Sequence, residues 1–207
     1  LEQRPSGELS ALLTDLYQLT MAACYFDQDM QEEATFSLFI RNYPPGRNYF
    51  VAAGLSEVLE YLETLRFSDD DLAYLGATGL FSTPFLDFLQ GLRFTGEVHA
   101  LPEGSIFFTD EPIVEVSAPI IEAQLVETFI INAISLQTMI ATKASRSVQA
   151  AGDRPLVDFS LRRTQGRDAG LKAARASYLA GFLGTSNVLA GKRYGIPIFG
   201  TMAHSYI

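Results

Sequence analysis

The sequence holds a single cysteine, an excess of acids over bases, and no uninterrupted apolar run of membrane-spanning length. With Cys24 alone, no internal disulfide can form. Its place on the apolar side of an expected helix reads as a buried thiol in a reducing, cytoplasmic setting. Fifteen Lys and Arg against 24 Asp and Glu leave a net charge of −9, which excludes indiscriminate nucleic-acid binding because that needs a basic face to displace counterions. A locally basic pocket remains open, since Arg162, Arg163, Arg167, Lys172 and Arg175 cluster. No basic leader precedes an apolar core, as the chain begins with the polar Glu2, Gln3 and Arg4. The longest apolar candidate, Phe129 to Ile140, is broken by Asn132, Ser135, Gln137 and Thr138, and reads as a helix buried in protein with no membrane partner. No dedicated metal cage is evident. Asp69, Asp70 and Asp71 sit at a helix start, where acids complement the dipole.

What is present is a globular composition, 48% hydrophobic and 19% charged over 207 residues, without internal repeats or low-complexity tracts. Leu9, Leu12, Leu13, Leu16, Leu19, Ala23 and Phe26 recur at helical spacing and predict a helix from Glu8 to Phe26, capped by Ser6 or Ser10. Residues 33–40 alternate as a half-buried strand. Helices are expected over Val51–Leu65, Asp69–Leu75 and Thr83–Leu89, with Ser68 and Asp71 as a capping pair. Residues 95–117 read as β structure with a turn at Pro102-Glu103-Gly104, and a long helix is expected from Ile120 to Ala150. A domain seam is placed at Ala118-Pro119, dividing 1–118 from 119–207. The start without methionine and the close on a polar cluster lead us to expect a piece of a longer polypeptide.

From Arg154 onward, short apolar strands alternate with bursts of small, basic and hydroxylated residues. The bursts are Ser160 to Gly166, Gly184 to Asn187, and Gly200 to Ser205, with a strand expected over Ile196–Gly200 and a helix over Ala169–Phe182. Strand–helix alternation implies parallel pairing, and in a β/α barrel the chemistry sits where strands end. Arginine, hydroxyl, amide and histidine groups at successive strand ends suit an anionic, phosphate-bearing substrate.

These segments resemble nicotinate phosphoribosyltransferase. Thr14 to Met21 is similar to that family's opening helix, Glu127 to Arg146 to its long helix, and Leu161-Arg162-Arg163-Thr164-Gln165-Gly166 and Gly200 to Ser205 to its catalytic segments. The resemblance implies an α/β amino-terminal domain followed by the first strands of an irregular β/α barrel. It implies a homodimer with shared active sites that forms nicotinate mononucleotide and pyrophosphate from nicotinate and phosphoribosyl pyrophosphate. Mg²⁺ would accompany the latter, and ATP hydrolysis would be coupled. Two alternatives stand beside it: a nicotinamide-specific relative, and a non-catalytic fragment keeping only a dimerisation surface.

The resemblance also implies roles. Tyr17, from the partner subunit, and Phe159 would sandwich the pyridine ring. Arg162, with Arg163 beside it, would contact the phosphate region. Ser186 replaces the aspartate found at this point in the nicotinamide-specific relative, and so favours the acid over the amide. Thr201 would contact nicotinate, and His204 would be transiently phosphorylated by ATP. In isolation these aromatics read as core, the arginine pair as a solvated loop, and His99 as structural. Lys143 and Arg146 share one face of the long helix and could face phosphates or solvent.

Overall fold

A computed structural model describes residues 9–206 of this mixed α/β protein. The Ser6 cap and the helix start at Glu8 lie outside the described residues. The chain divides into two compact units that are each discontinuous in sequence. The first takes residues up to Phe39, then Ser56–Ala100 and Pro112–Ala133; the second takes Ile40–Leu55, Leu101–Glu111 and the chain from Ile134 onward. These units do not follow the linear cut expected at Ala118-Pro119: a strand ending at Pro119 and the first part of the helix that begins at Ile120 both belong to the first unit, and the rest of that helix belongs to the second.

The first unit is built on an antiparallel sheet of β1 (Glu33–Leu38), β5 (Val114–Pro119) and β3 (Glu97–Ala100), in the order β1-β5-β3. Val116 stands opposite Phe36 on one side and Val98 on the other. Strand β5 alternates strictly, with Val114, Val116 and Ala118 buried, as the two-residue period of a strand requires. Its other face is polar: Thr35 Oγ1 and Ser117 Oγ lie 2.7 Å apart, and the Ser37 hydroxyl donates to Glu115 Oε1 at 2.8 Å. Helices α2 (Leu55–Thr64), α3 (Asp69–Ala77) and α4 (Thr83–Gly91) complete the unit with the start of α5 (Ile120–Ala151). Ser68 and Asp71 form the expected reciprocal capping box at α3. Tyr61 of α2 stacks on Phe129 of α5, ring centroids 3.8 Å apart and planes 9° from parallel.

Helix α1 (Leu16–Asp27) begins eight residues later than Glu8. The apolar spacing continues upstream, but Ser10 turns the chain locally, accepting from the Leu12 and Leu13 amides. The Asp15 backbone is extended, and its carboxylate accepts from Thr128 instead of capping the helix. Cys24 is exposed, not buried. Gln18, Leu19 and Ala22 form the buried side, and Cys24, two residues past Ala22, is turned about 200° away from it.

In the second unit, β2 (Phe50–Val51) pairs antiparallel with β4 (Ile106–Phe107), and Tyr43, Phe50 and Phe107 stack in sequence. Val51 was expected in a helix, yet its amide donates to Thr142 Oγ1 at 2.9 Å and the Ala53 amide to Thr138 Oγ1 at 3.3 Å. Two threonines of α5 thus satisfy backbone donors that no further strand covers. Helix α5 is itself long and apolar enough to cross a bilayer, contrary to the sequence expectation, but 56% of its most apolar stretch is buried within the protein. Lys143 and Arg146 are both exposed on it.

The strand–helix alternation follows as β6 (Val157–Asp158), α6 (Arg167–Leu179), β7 (Gly184–Thr185) and α7 (Val188–Tyr194). Strands β6 and β7 pair in parallel, and Ile198 bridges to Thr185, also in parallel. The strand expected over Ile196–Gly200 is reduced to that bridge. Pro197 has no N–H to donate, while its carbonyl accepts from the Thr185 amide at 3.0 Å. Gly195 closes α7 at φ 68°, a conformation suited to glycine.

Candidate functional site

At the carboxyl ends of β6 and β7 the chain encloses an open cavity of about 730 Å³. Phe159, at the end of its strand, and Arg162, Ser186, Thr201 and His204, drawn from the three polar bursts, line it together. The first burst leaves β6 and folds into a single 3₁₀ turn over Leu161–Arg163, closed by the Arg163 amide donating to Ser160 O at 2.7 Å. Phe159 is half exposed, so its ring is a wall of the cavity and not core. The third burst runs past Thr201 into a short 3₁₀ turn, His204–Tyr206, and its side chains are exposed.

Two expected residues are not among the lining side chains. Arg163 is exposed on the same turn as Arg162 but outside the cavity lining. Tyr17 belongs to the first unit, on α1, half exposed. There its hydroxyl accepts from Gln18 Nε2 at 2.8 Å and donates to Glu127 Oε2 at 3.5 Å. Partial desolvation, then the negative charges of Glu127 and Asp15, raise the Tyr17 phenol above its usual range, so it stays a donor.

The charge of the site is one-sided. Among the described residues, Arg162 is the only permanently charged side chain that lines the cavity, and no Asp or Glu does. Of the basic cluster read from sequence, Lys172 pairs with Asp168 at 2.9 Å and Arg175 with Glu103 at 2.6 Å. Only Arg162 of the five therefore presents its charge to the cavity. A guanidinium with no opposing carboxylate favours an anion. Among the described residues, no three His, Cys, Asp or Glu side chains gather as a metal cage.

Sequence reasoning missed two things here. One is the apolar share of the wall, including Val188, Ile198, Phe199 and Met202. These residues are as common in cores as in sites, so nothing marked them. The other is a buried polar floor. Asp158 Oδ2 accepts from Thr185 Oγ1 at 2.7 Å, and Thr185 Oγ1 accepts from the Asn187 amide at 3.0 Å. The signal for it was present, as a carboxylate inside the apolar strand Leu156-Val157-Asp158-Phe159 demands a partner.

Comparison with known proteins places the chain in a family. Residues 12–135 fit the nicotinate phosphoribosyltransferase (NAPRTase) N-terminal domain, and residues 155–207 fit the nicotinate phosphoribosyltransferase (NAPRTase) family. Nicotinate phosphoribosyltransferase pncB2 of Mycobacterium tuberculosis (strain H37Rv) is 56% identical over 199 residues, 96% of this chain and 43% of that protein. The Bacillus subtilis nicotinate phosphoribosyltransferase is 44% identical, over 95% of this chain and 40% of its own length. The crystal structure of human nicotinic acid phosphoribosyltransferase superposes with a TM-score of 0.86 at 40% identity, covering 93% of this chain and 40% of that one. Nicotinate-nucleotide pyrophosphorylase from Pyrococcus furiosus shares the fold, with a TM-score of 0.78 at 22% identity, 99% of this chain and 46% of that one. The chain thus spans 43% and 40% of the length of these two curated relatives. On both family matches and these identities, this chain belongs to the nicotinate phosphoribosyltransferase family.

Proposed function

We propose that this chain carries the nicotinate-recognising part of an enzyme that makes nicotinate mononucleotide for NAD biosynthesis. The nicotinate ring nitrogen forms a bond to the anomeric carbon of phosphoribosyl pyrophosphate. The bond from that carbon to pyrophosphate breaks, and its electron pair leaves with pyrophosphate. The observation that carries the reading is the gathering of Phe159, Arg162, Ser186, Thr201 and His204 around a cavity whose sole permanent charge, among the described residues, is positive. The parallel run β6, β7 and Ile198 is, on this reading, the opening of an irregular β/α barrel. A cytoplasmic setting belongs to the same reading.

The roles follow from the wall. Phe159 gives one face to the pyridine ring, an offset-stacking surface worth about 0.5–1.5 kcal/mol beyond area burial. Tyr17 of a second copy gives the other, in a homodimer. The Ser186 hydroxyl and Thr201 meet the carboxylate. Arg162 pairs with phosphate, and Arg163 adds positive charge to the rim. Charge placement and positioning dominate a glycosyl transfer whose carbon becomes cationic. Mg²⁺ travels with phosphoribosyl pyrophosphate, held by its oxygens and water. His204 takes the terminal phosphoryl group of ATP on a ring nitrogen, releasing ADP, and water later removes it.

The test is an assay of the longest naturally encoded form of this polypeptide with phosphoribosyl pyrophosphate and Mg²⁺. Nicotinate and nicotinamide are each supplied with and without ATP. Nicotinate mononucleotide and pyrophosphate should appear, faster with ATP. A preference for nicotinamide would favour the amide-specific alternative. No turnover of either substrate by a stable dimer would favour the non-catalytic one.

A further inference from the structure

Beneath the cavity, buried polar residues alternate with lining residues along the chain. Asp158 precedes Phe159, Thr185 precedes Ser186, and Asn187 precedes Val188. The three buried residues form one chain of hydrogen bonds. Asp158 Oδ1 accepts from the Ser160 amide at 2.9 Å, Asp158 Oδ2 from the Thr185 hydroxyl at 2.7 Å, and the Asp158 carbonyl from the Ser186 amide at 2.8 Å. Thr185 Oγ1 accepts in turn from the Asn187 amide, and Asn187 caps α7 through Oδ1 while its Nδ2 donates to Gly170 O on α6. The Ser160 hydroxyl is buried and bonds to no described residue, so the side chain that holds the turn after Phe159 is Asp158 and not Ser160. The Asp158 carboxylate therefore joins the backbone just after Phe159 to the Thr185 side chain just before Ser186.

We infer that Asp158 and Thr185 are a positioning pair that sets the gap between Phe159 and Ser186, and so governs affinity for the flat ring ligand. The inference rests on the function proposed above for the ligand's identity. The pair touches no substrate. Thr185 is fully buried and Asp158 nearly so, which keeps water from competing for the bond. Thr185→Val keeps the side-chain shape but removes the hydroxyl, leaving Asp158 Oδ2 and the Asn187 amide without it. Asp158→Asn keeps the volume, but whichever way the amide turns, one of the two acceptances is lost.

In the longest naturally encoded form of the polypeptide, Thr185→Val should raise KM for nicotinate roughly tenfold, from the cost of stranding buried polar groups. KM for phosphoribosyl pyrophosphate and kcat should move far less, and Thr185→Ser should restore the wild-type value. An unchanged KM for nicotinate, or no rescue by serine, overturns the pair. Asp158→Asn carries the same test if Thr185→Val does not fold. Hydrogen exchange of the unliganded protein separates this outcome from failure of the functional reading. The Ser160 amide should exchange faster in Asp158→Asn and the Asn187 amide faster in Thr185→Val, with the Val116 amide unchanged in both. If the wild type turns over no nicotinate, the reading falls and exchange alone judges the pair. Unaltered exchange then overturns it, and faster exchange supports it.

Discussion

The Arg175 guanidinium grips the Glu103 carboxylate through two parallel hydrogen bonds, 2.9 Å from Nη1 to Oε1 and 2.6 Å from Nη2 to Oε2. The same Oε1 accepts from the Gly54 amide at 2.6 Å. Glu103 sits in the Pro102–Ser105 turn ahead of β4, so α6 is tied to the loop segments of its own unit by one largely buried ion pair. Arg175→Lys keeps the charge and loses the fork. It should destabilise by about 1 kcal/mol, whereas Glu103→Ala should cost about 2–3 kcal/mol by leaving a guanidinium without its carboxylate. Urea unfolding of both variants checks the ranking, and equal losses would show that the fork geometry is immaterial.

Gly184 is a second point where one atom decides the site. A Cβ there would fall against the Pro197 carbonyl oxygen and 2.6 Å from Phe199 Cε2. Phe199 lines the cavity, so the strain would reach the wall directly. Gly184→Ala should cost roughly 1–3 kcal/mol by overpacking and should weaken nicotinate binding as the Phe199 ring is displaced. A thermal melt matching wild type would show that β7 can move aside freely.

The same contrast between local and distant causes separates what the sequence disclosed from what it hid. Helix α5 was legible nearly to the residue because Ile120 to Ala151 contains neither glycine nor proline, and Gly152 follows at φ 59°. The capping box at Ser68 was legible because it is written in four adjacent residues. Strand β4 fell inside the stretch 95–117 that read as β structure, but β2 was not legible, since it spans two residues and exists through partners far along the chain, Thr142 among them. At the site, the polar bursts betrayed the strand ends. Arg162 and Arg163 could not be told apart, because neighbours on a 3₁₀ turn point about 120° apart and only the fold decides which meets the cavity. Asp158 read as an ordinary strand residue, its partner Thr185 lying 27 positions away.

Tyr61 predicts a pH dependence. It is 1% exposed and stacked on Phe129, and burial pushes its phenol above the ordinary value of 10.0. The folded state therefore holds this proton at pH values where the unfolded chain has released it. Stability is unaffected by Tyr61 below about pH 10 and falls above it, by up to about 1.4 kcal/mol per pH unit until the folded-state value is reached. Tyr61→Phe should flatten that alkaline decline. Parallel unfolding curves of the two proteins from pH 9 to 11 would refute the assignment.

His204 lines the cavity at the start of an exposed turn. If it carries phosphate from ATP, a labelled phosphoryl group should be acid-labile and absent from His204→Ala, and ATP should no longer speed turnover of that variant. Label that survives the substitution would move the phosphorylated nucleophile elsewhere.

Ser186 offers the sharpest test of substrate choice, because the backbone beneath it is fixed independently of its side chain. Its amide is bound to the Asp158 carbonyl, so an aspartate at 186 would occupy the same place on the wall. Facing nicotinate, that carboxylate would meet another carboxylate in a cavity with one permanent positive charge, Arg162. Like-charge juxtaposition costs several kcal/mol when water is excluded, less here because the cavity is open, so kcat/KM for nicotinate should fall by about a hundredfold. Nicotinamide loses nothing by the change and gains an acceptor for its amide N–H. Ser186→Asp should therefore shift the nicotinate-to-nicotinamide ratio of kcat/KM toward the amide, most strongly at low salt, where the repulsion is least screened. A ratio unchanged at any ionic strength would mean that the carboxylate of the substrate points away from Ser186, and that Thr201 and Arg162 read it instead.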